Sequence, residues 1–190
     1  MPAKVSRRLV IDASVARAAG GVEATYPTSK HCRDLLQAVL TICHRVVLTP
    51  DITQEWNTHQ SRFARLWRVS MVARKKIYHA DIAIDQELPH KIQSSTVSTR
   101  EQEAMRKDLL LIKAALHPDK TVVSLDDTAR AYFAAASRAV GEIRNIVWVN
   151  PRITGEAVLT WLQNGAKPEK ALRLGFEIRK RGRSVRRGQV

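Results

Sequence analysis

The feature that most constrains the fold is a set of four short apolar runs, each followed by polar or turn-forming residues. They occupy residues 9–11, 46–50, 121–124 and 146–149. Between them, apolar residues recur three and four positions apart, which is the spacing of helices with one buried face. Strands that alternate with helices form parallel sheets covered on both sides. The sequence therefore predicts a three-layer α/β/α fold with a central, mainly parallel sheet of four to five strands.

The helices can be placed from their apolar stripes and from the residues that could cap them. Thr28 and Ser29 are candidate caps for the first, and Asp51 is the candidate cap for a long second helix that runs toward Tyr78. The stretch 81–98 is irregular and predicts a short helix and a loop. The first helix is predicted over residues 28–45, and the helices after the irregular stretch over residues 99–116, 125–138 and 156–163.

Composition indicates one globular domain with a basic extension. The chain has 190 residues, of which 44% are hydrophobic and 26% charged, as in ordinary globular proteins. We assign residues 1–166 to the domain and residues 167–190 to the extension, which contains nine Lys and Arg against two Glu. The last ten residues have almost no apolar content, so we expect them to be disordered unless a partner orders them.

The net charge of +14 makes a polyanion the leading partner class, and nucleic acid the first candidate. The N-terminal apolar stretch is interrupted by Asp12 and Arg17, which makes a poor signal peptide, and no apolar run is long enough to span a membrane. Cys32 and Cys43 fall too far apart in one predicted helix for a disulfide. We therefore expect a cytoplasmic protein with no membrane partner.

Several carboxylates follow predicted strands, where ligands of open α/β sheets gather. Asp12 ends the first strand, Glu55 lies in the first turn after the second, and Asp126 and Asp127 follow the third. Taken singly, each could simply cap a helix or favour its dipole. Asp108 has no capping role, because it falls within a helix beside apolar residues. Its alternative is a solvated position paired with Lys107 or Arg106. Other acids are assigned to a helix surface, a cap and a turn: Asp34, Asp51 and Asp119.

The chain resembles the PIN domain nucleases over residues 5–150. The resemblance rests on LVIDAS at 9–14, Glu55, KDLLLIKAAL at 107–116 and VVSLDD at 122–127, taken in this order and spacing. It implies that four acids bind Mg²⁺ or Mn²⁺ for hydrolysis of RNA, and that Ser124 and Ser14 orient water or phosphate. Carried onto this chain, the acids are Asp12, Glu55, Asp108 and Asp126, with Asp127 left open as a further ligand or as the fourth acid.

Two departures from the family pattern are the long stretch between Glu55 and Asp108 and the basic extension. The chemistry suits the residues, because Mg²⁺ and Mn²⁺ prefer carboxylate and water oxygens. A zinc enzyme is disfavoured because the six histidines show no zinc-ligand spacing, and a dinucleotide or P-loop enzyme because their glycine-rich motifs are missing.

Basic residues could bind the nucleic acid backbone beside the acids. Arg62, Arg65 and Arg68 recur at three-residue spacing with no acid from 62 to 77, although a solvated helix face would look the same. Trp56, Phe63 and Trp67 follow the apolar stripe and are expected in the core or an interface. In the extension, the predicted nucleic-acid-binding residues are Arg179, Lys180, Arg181, Arg183, Arg186 and Arg187.

These observations favour a metal-dependent endoribonuclease. The resemblance implies that such an enzyme could be the toxin of a toxin–antitoxin pair, with a cognate antitoxin as its protein partner. It also implies a homodimer. A processing enzyme is equally compatible with the sequence. The alternative is an RNA- or DNA-binding module with a degenerate, inactive site. A phosphatase-like or nucleotide-binding domain is the third hypothesis, and the charge argues against it by favouring a polymeric substrate.

Overall fold

The computed structural model describes residues 5–20, 27–80, 87–95, 98–117 and 119–176. Within them, the strands are β1 (Arg8–Ile11), β2 (Arg45–Leu48), β3 (Ile77–His79), β4 (Thr121–Val123) and β5 (Val147–Val149). The helices are α1 (Ala13–Ala18), α2 (Thr28–Thr41), α3 (Pro50–His59), α4 (Arg62–Ala73), α5 (Glu87–Ser94), α6 (Thr99–Leu116), α7 (Asp127–Ala136) and α8 (Pro151–Gln163). None of the described helices is long and apolar enough to cross a membrane.

The five strands form one parallel sheet in the order β3-β2-β1-β4-β5. Helices flank the sheet, so the predicted three-layer α/β/α fold is confirmed. Strand order reverses at β1, whose Ile11 pairs with Val123 of β4. In sheets of this type, the crevice beyond the carboxyl ends of two such strands is where ligands bind. The fold therefore places the residues after β1 and β4 at the preferred position for a site.

The central strand is buried on both faces, which explains why it is apolar throughout. Leu9, Val10 and Ile11 are fully buried, as are Val122 and Val123 beside them. The pairing continues one residue beyond β1, because the backbone N–H of Asp12 donates to the carbonyl of Val123 at 2.9 Å. This bond holds the first residue of the candidate site against the neighbouring strand.

The prediction of one long helix from Asp51 toward Tyr78 is wrong. The chain leaves helical geometry at Gln60, whose backbone is extended, and restarts at α4 with Ser61 as N-cap. The Ser61 hydroxyl accepts from the N–H of Ala64 at 3.2 Å and donates to the carbonyl of Ala16 at 2.8 Å. After α4, Lys75 adopts a positive φ of 56° and turns the chain into β3, an edge strand that the sequence pattern does not predict.

Other helix boundaries also differ from expectation. Thr49, rather than Asp51, caps α3 by accepting from the N–H of Ile52 at 3.1 Å. Neither Thr28 nor Ser29 is the N-cap of α2, which follows Pro27 and ends at Thr41. Helix α8 begins at Pro151 after an Asn150 cap, five residues before the predicted start. By contrast, α6 occupies the predicted residues 99–116.

The first part of the basic extension packs on the sheet. Leu174 is buried, and its N–H donates to the carbonyl of Ile146 at 2.9 Å, while Arg173 forms an antiparallel bridge with Val147. Residues 177–190, which include every tail cation assigned to nucleic acid binding, lie outside the described residues. The domain boundary after residue 166 stays a prediction.

Candidate active site

The carboxyl end of β1 delivers Asp12 to the crevice between β1 and β4. Asp12 occupies the N-cap position of α1, yet its side chain makes no capping hydrogen bond. Instead, its Oδ2 atom accepts from the hydroxyl of Ser124 at 2.8 Å and from the hydroxyl of Ser14. The capping explanation for Asp12 therefore fails, and its carboxylate is oriented by the two serines.

The two serines also join the start of α1 to the connection between β4 and α7. The Ser14 hydroxyl accepts from the N–H of Leu125 at 3.3 Å, and the Ser124 hydroxyl accepts from the N–H of Asp126 at 3.1 Å. The resemblance predicts that these hydroxyls orient water or phosphate. In the structure each donates its proton to Asp12, so their visible role is to position that carboxylate.

Four carboxylates predicted to act together line one cavity of about 680 Å³. They come from four parts of the fold: the end of β1, helix α3, helix α6 and the connection between β4 and α7. Their convergence follows from the topology, because α3 leaves the end of β2 and α6 crosses beside β1 and β4. The four residues are Asp12, Glu55, Asp108 and Asp126.

Asp108 reaches the cavity because it lies on the buried stripe of α6. Met105 precedes it by three residues, and Leu111 and Ile112 follow it by three and four, and all three are buried. Burial raises the pKa of Asp108 to about 7, and the negative charges of Asp12, Asp126 and Glu55 act in the same direction. Lys107 opposes the increase only in part. A cation in the cavity would remove this electrostatic penalty.

The structure distinguishes the two adjacent acids after β4. Asp126 lines the cavity and also caps α7, since its Oδ1 atom accepts from the N–H of Ala129 at 2.8 Å. Asp127 pairs with Arg152 at 3.4 Å and does not belong to the residues that line the cavity. The geometry therefore favours Asp126 as the fourth acid and leaves Asp127 outside the site.

Three basic side chains that the sequence reasoning missed also line the cavity: Arg17, His59 and Lys107. The Nε2 atom of His59 lies 3.6 Å from Oε2 of Glu55. The sequence contains two signals, because His59 follows Glu55 at the i, i+4 spacing of one helix face and Lys107 precedes Asp108. Arg17 follows Asp12 by five residues, and nothing in the sequence around it indicates that it would line the cavity.

The donor set fits a hard divalent cation, although its ligands are not preassembled. In the part of the chain that the structure describes, no three His, Cys, Asp or Glu side chains already stand in the arrangement of a metal site. Magnesium keeps several waters and is usually bound by one or two carboxylates together with substrate phosphate. A roomy cavity lined by four separated carboxylates suits that mode of binding.

Comparisons of the chain with protein-family models, with curated proteins and with solved structures gave no match.

The arginines predicted to track nucleic acid belong to α4 and do not line the cavity. These are Arg62, Arg65 and Arg68. Arg68 is partly buried and donates to the side-chain oxygen of Asn57 at 2.7 Å, and this burial, with the charge of Arg65, lowers its pKa. Their contact with nucleic acid stays a prediction.

Trp56, Trp67 and Asp119 have structural roles. Trp56 and Trp67 are buried and stacked with ring centroids 5.8 Å apart, as expected for core residues. Trp56 also donates to the carbonyl of Ile11 at 2.9 Å, which ties α3 to the end of β1. Asp119 pairs with Arg7 and Arg8 at the amino ends of β1 and β4, and it does not line the cavity.

Proposed function

We propose that this protein is an endoribonuclease that hydrolyses RNA phosphodiester bonds with the help of Mg²⁺ or Mn²⁺. The observation that carries the proposal is the position of Asp108 on an apolar stripe, facing three other acids in one cavity. A partly buried carboxylate whose pKa is raised by its neighbours is a common mark of a functional site. A capping or surface role explains neither its burial nor its neighbours.

Asp12, Glu55, Asp108 and Asp126 would hold the ion. When bound, it would supply a nucleophile from water at neutral pH and neutralise charge on the scissile phosphate. Ser14 and Ser124 keep Asp12 in place through their hydrogen bonds. A fixed position for Asp12 would be useful, because a small displacement of a catalytic group lowers the rate steeply.

The basic residues of the cavity would bind the substrate. Arg17 and Lys107 supply positive charge beside the acids, so they can bind phosphate oxygens on either side of the scissile bond. The net charge of +14 supports a polymeric substrate, since a long polyanion gains from charge spread over the whole protein. The toxin setting suggested by the resemblance stays a prediction.

The decisive experiment is cleavage of a mixed pool of single-stranded and structured RNA in Mg²⁺, Mn²⁺ or EDTA. We expect metal-dependent cleavage by the wild type and a decrease of roughly 100-fold or more in Asp12→Asn and Asp108→Asn, the usual size of effect for a group that stabilises the transition state. Asp34→Asn is the matched control, because Asp34 pairs with Lys30 on the surface of α2. Cleavage that persists in EDTA, or in both site variants, would refute the proposal.

Thermal unfolding gives a second readout that does not depend on activity. Ligands that bind only the folded protein raise its Tm, and they do so more strongly at higher concentration. Mn²⁺ should therefore raise the Tm of the wild type and of Asp34→Asn, but not that of Asp108→Asn. An equal shift in all three proteins would mean that the ion binds elsewhere.

The second candidate function is RNA or DNA binding without cleavage. It is favoured by the finding that no three potential ligands are preassembled among the described residues. The same RNA pool distinguishes the two candidates. A protein that binds the pool, leaves it intact in both metals and shows no Mn²⁺-dependent Tm shift is a binding module.

A further inference from the structure

The outward face of α4 exposes an unusual amount of aliphatic surface. Leu66, Val69 and Val72 are 62%, 63% and 60% exposed, and together with Ala73, which is also exposed, they cover the last two turns of the helix. The opposite face is buried through Ala64, Trp67 and Met71. Helix α4 is thus apolar on both sides, whereas a helix that only covers a core needs one apolar face.

The spacing of these residues is that of a seam between two helices. Leu66, Val69 and Ala73 follow one another at three and four residues, and Arg62 continues the same series by four residues in the N-terminal direction. Such 3-4 spacing keeps one narrow stripe facing a neighbouring helix along its length. A nucleic acid backbone has no need of aliphatic side chains, so the spacing favours a helical protein partner over RNA.

The charges on this face have one sign. Arg62 and Arg65 are exposed in the first turn, and Lys75 is exposed just beyond the last. No Asp or Glu occurs from residue 62 to residue 77. A second copy of this chain, packed antiparallel, would set Arg62 and Arg65 against the partner's basic end, which is unfavourable. The complementary occupant therefore carries acidic residues.

We propose that the outward face of α4, formed by Arg62, Arg65, Leu66, Val69, Val72 and Ala73, docks an acidic amphipathic helix of another protein. The partner's apolar stripe covers the aliphatic seam, and its flanking carboxylates meet the cations at the two ends of α4. This mode places helical anchors three and four residues apart against a hydrophobic surface. The inference is independent of the proposed nuclease activity, because none of these residues lines the acidic cavity.

The test measures binding of a fluorescent helical peptide about 21 residues long, with leucine at 3-4 spacing, glutamate on both flanks of that stripe and alanine elsewhere. We expect micromolar affinity for the full-length protein. The double variants Leu66→Ser/Val69→Ser and Arg62→Glu/Arg65→Glu should each weaken binding by about tenfold or more. Val5→Ser is the matched control, since Val5 is an aliphatic residue of similar exposure, 57%, that lies outside α4.

A peptide with lysine in place of glutamate should bind about tenfold more weakly or worse. The proposal is overturned if both peptides bind alike, if neither binds, or if both double variants bind as the Val5→Ser protein does. If Arg62→Glu/Arg65→Glu loses affinity for single-stranded RNA while the acidic peptide does not bind, the face is an RNA surface. If the wild type sediments as a dimer that Leu66→Ser/Val69→Ser dissociates, and the peptide does not bind, the occupant is a second copy. Circular dichroism establishes that each variant is folded.

Discussion

Asp108 occupies a helix position where burial would ordinarily select a hydrophobic residue. Its neighbours on the same stripe of α6, Met105, Leu111 and Ile112, are all buried, and its carboxylate faces three other acids. Natural proteins accept such a local penalty where a charge is needed for function. The penalty should therefore be measurable as stability recovered when the charge is removed.

We expect Asp108→Asn to be more stable than the wild type in EDTA above pH 7. The folded-state pKa of about 7 lies above the value of 3.8 for the free side chain, so the folded protein holds this proton longer than the unfolded chain. The contribution of Asp108 to the free energy of unfolding of the wild type therefore falls as pH rises from about 4 to about 7. The difference should be on the order of 2 kcal/mol, or about 4–8 °C in Tm.

Thermal unfolding between about pH 5 and about pH 8 measures this effect, with Asp34→Asn as the control. Asp34 lies on the surface, where an ion pair with Lys30 contributes little. An Asp108→Asn protein that is less stable than the wild type across the range would show that the carboxylate is stabilising rather than strained.

His44 is a buried residue whose titration acts in the opposite direction. Its Nδ1 atom accepts from the N–H of Arg7 at 3.1 Å, and its Nε2 atom lies 2.9 Å from the carbonyl of Leu162. This arrangement suits a neutral ring that donates from Nε2. Burial lowers the pKa of His44 below the value of 6.5 for the free side chain, and the nearby charges of Lys76 and Arg7 act in the same direction.

We expect stability to fall as pH decreases below about 6.5, because the unfolded chain gains a proton on His44 that the folded chain resists. His44→Gln should be less stable near neutral pH, since the ring packing is lost, but its unfolding free energy should vary less with pH. Denaturant unfolding in the Asp108→Asn background measures this without the opposing titration. Equal pH slopes with and without His44 would contradict the assignment.

At the scale of secondary structure, the break between α3 and α4 determines which way the side chains of each helix point. Helix α3 turns Glu55 and His59 toward the acidic cavity, and α4 turns Leu66 and Val69 outward. In a single straight helix, the angle between these two sets of side chains would be set by the repeat of about 3.6 residues per turn. The extended residues at Gln60 and Ser61 instead allow each helix its own orientation.

We expect Ser61→Ala to lower the free energy of unfolding by about 1–2 kcal/mol. The change removes the cap of α4 and the hydrogen bond to the carbonyl of Ala16. Ser70→Ala is the control, because its exposed hydroxyl only donates to the carbonyl of Leu66 within the same helix. Urea unfolding compares the two variants. An equal, small effect would mean that the break is maintained by packing alone.

Elements with a strong apolar pattern can be predicted from the sequence, whereas those formed by local backbone chemistry cannot. Helix α6 and the central strands are predictable because burial on one or two faces leaves a clear periodicity. Strand β3 escapes prediction because Ile77–His79 is an edge strand with one neighbour and only partial burial. The break at Ser61 escapes it because the junction contains neither Gly nor Pro.

The candidate site is predictable to a similar extent. Strand ends indicate Asp12, Glu55, Asp126 and Asp127, and the family resemblance adds Asp108. The cavity is lined by four of these five acids, Asp12, Glu55, Asp108 and Asp126. The sequence cannot predict that Asp126 lines the cavity and Asp127 does not. The two residues are adjacent and of the same type, and they differ only in the direction in which their side chains point. Asp127 turns to Arg152, a residue 25 positions away whose nearness depends on the packing of α8.

At the scale of the whole molecule, an acidic cavity lies in a strongly basic protein. The net charge is +14, and residues 167–190 account for +7 of it, from nine cations and two acids. A field of this kind attracts a polyanion from all directions, whereas the proposed cation would bind in the cavity alone. Affinity for RNA and chemistry on RNA should therefore depend on different residues.

We expect deletion of residues 179–190 to lower RNA affinity and its salt dependence more than turnover of bound RNA. The deletion removes six cations, and each phosphate that is no longer neutralised should reduce the salt slope by about 0.7 for a single strand. A variant in which Gly and Ser replace these twelve residues separates charge from length. Filter binding at several salt concentrations measures the slope. An unchanged slope would show that the tail does not bind RNA.

The pairing of β1 with β4 also has a consequence for the synthesis of the protein. Asp12 meets Ser124 across 112 residues of chain, and Asp126 follows two residues later. A growing chain cannot assemble these groups until the residues after β4 have left the ribosome. For the ribonuclease proposed above, this order of assembly would keep the growing chain inactive toward its message and toward ribosomal RNA until Asp126 has emerged.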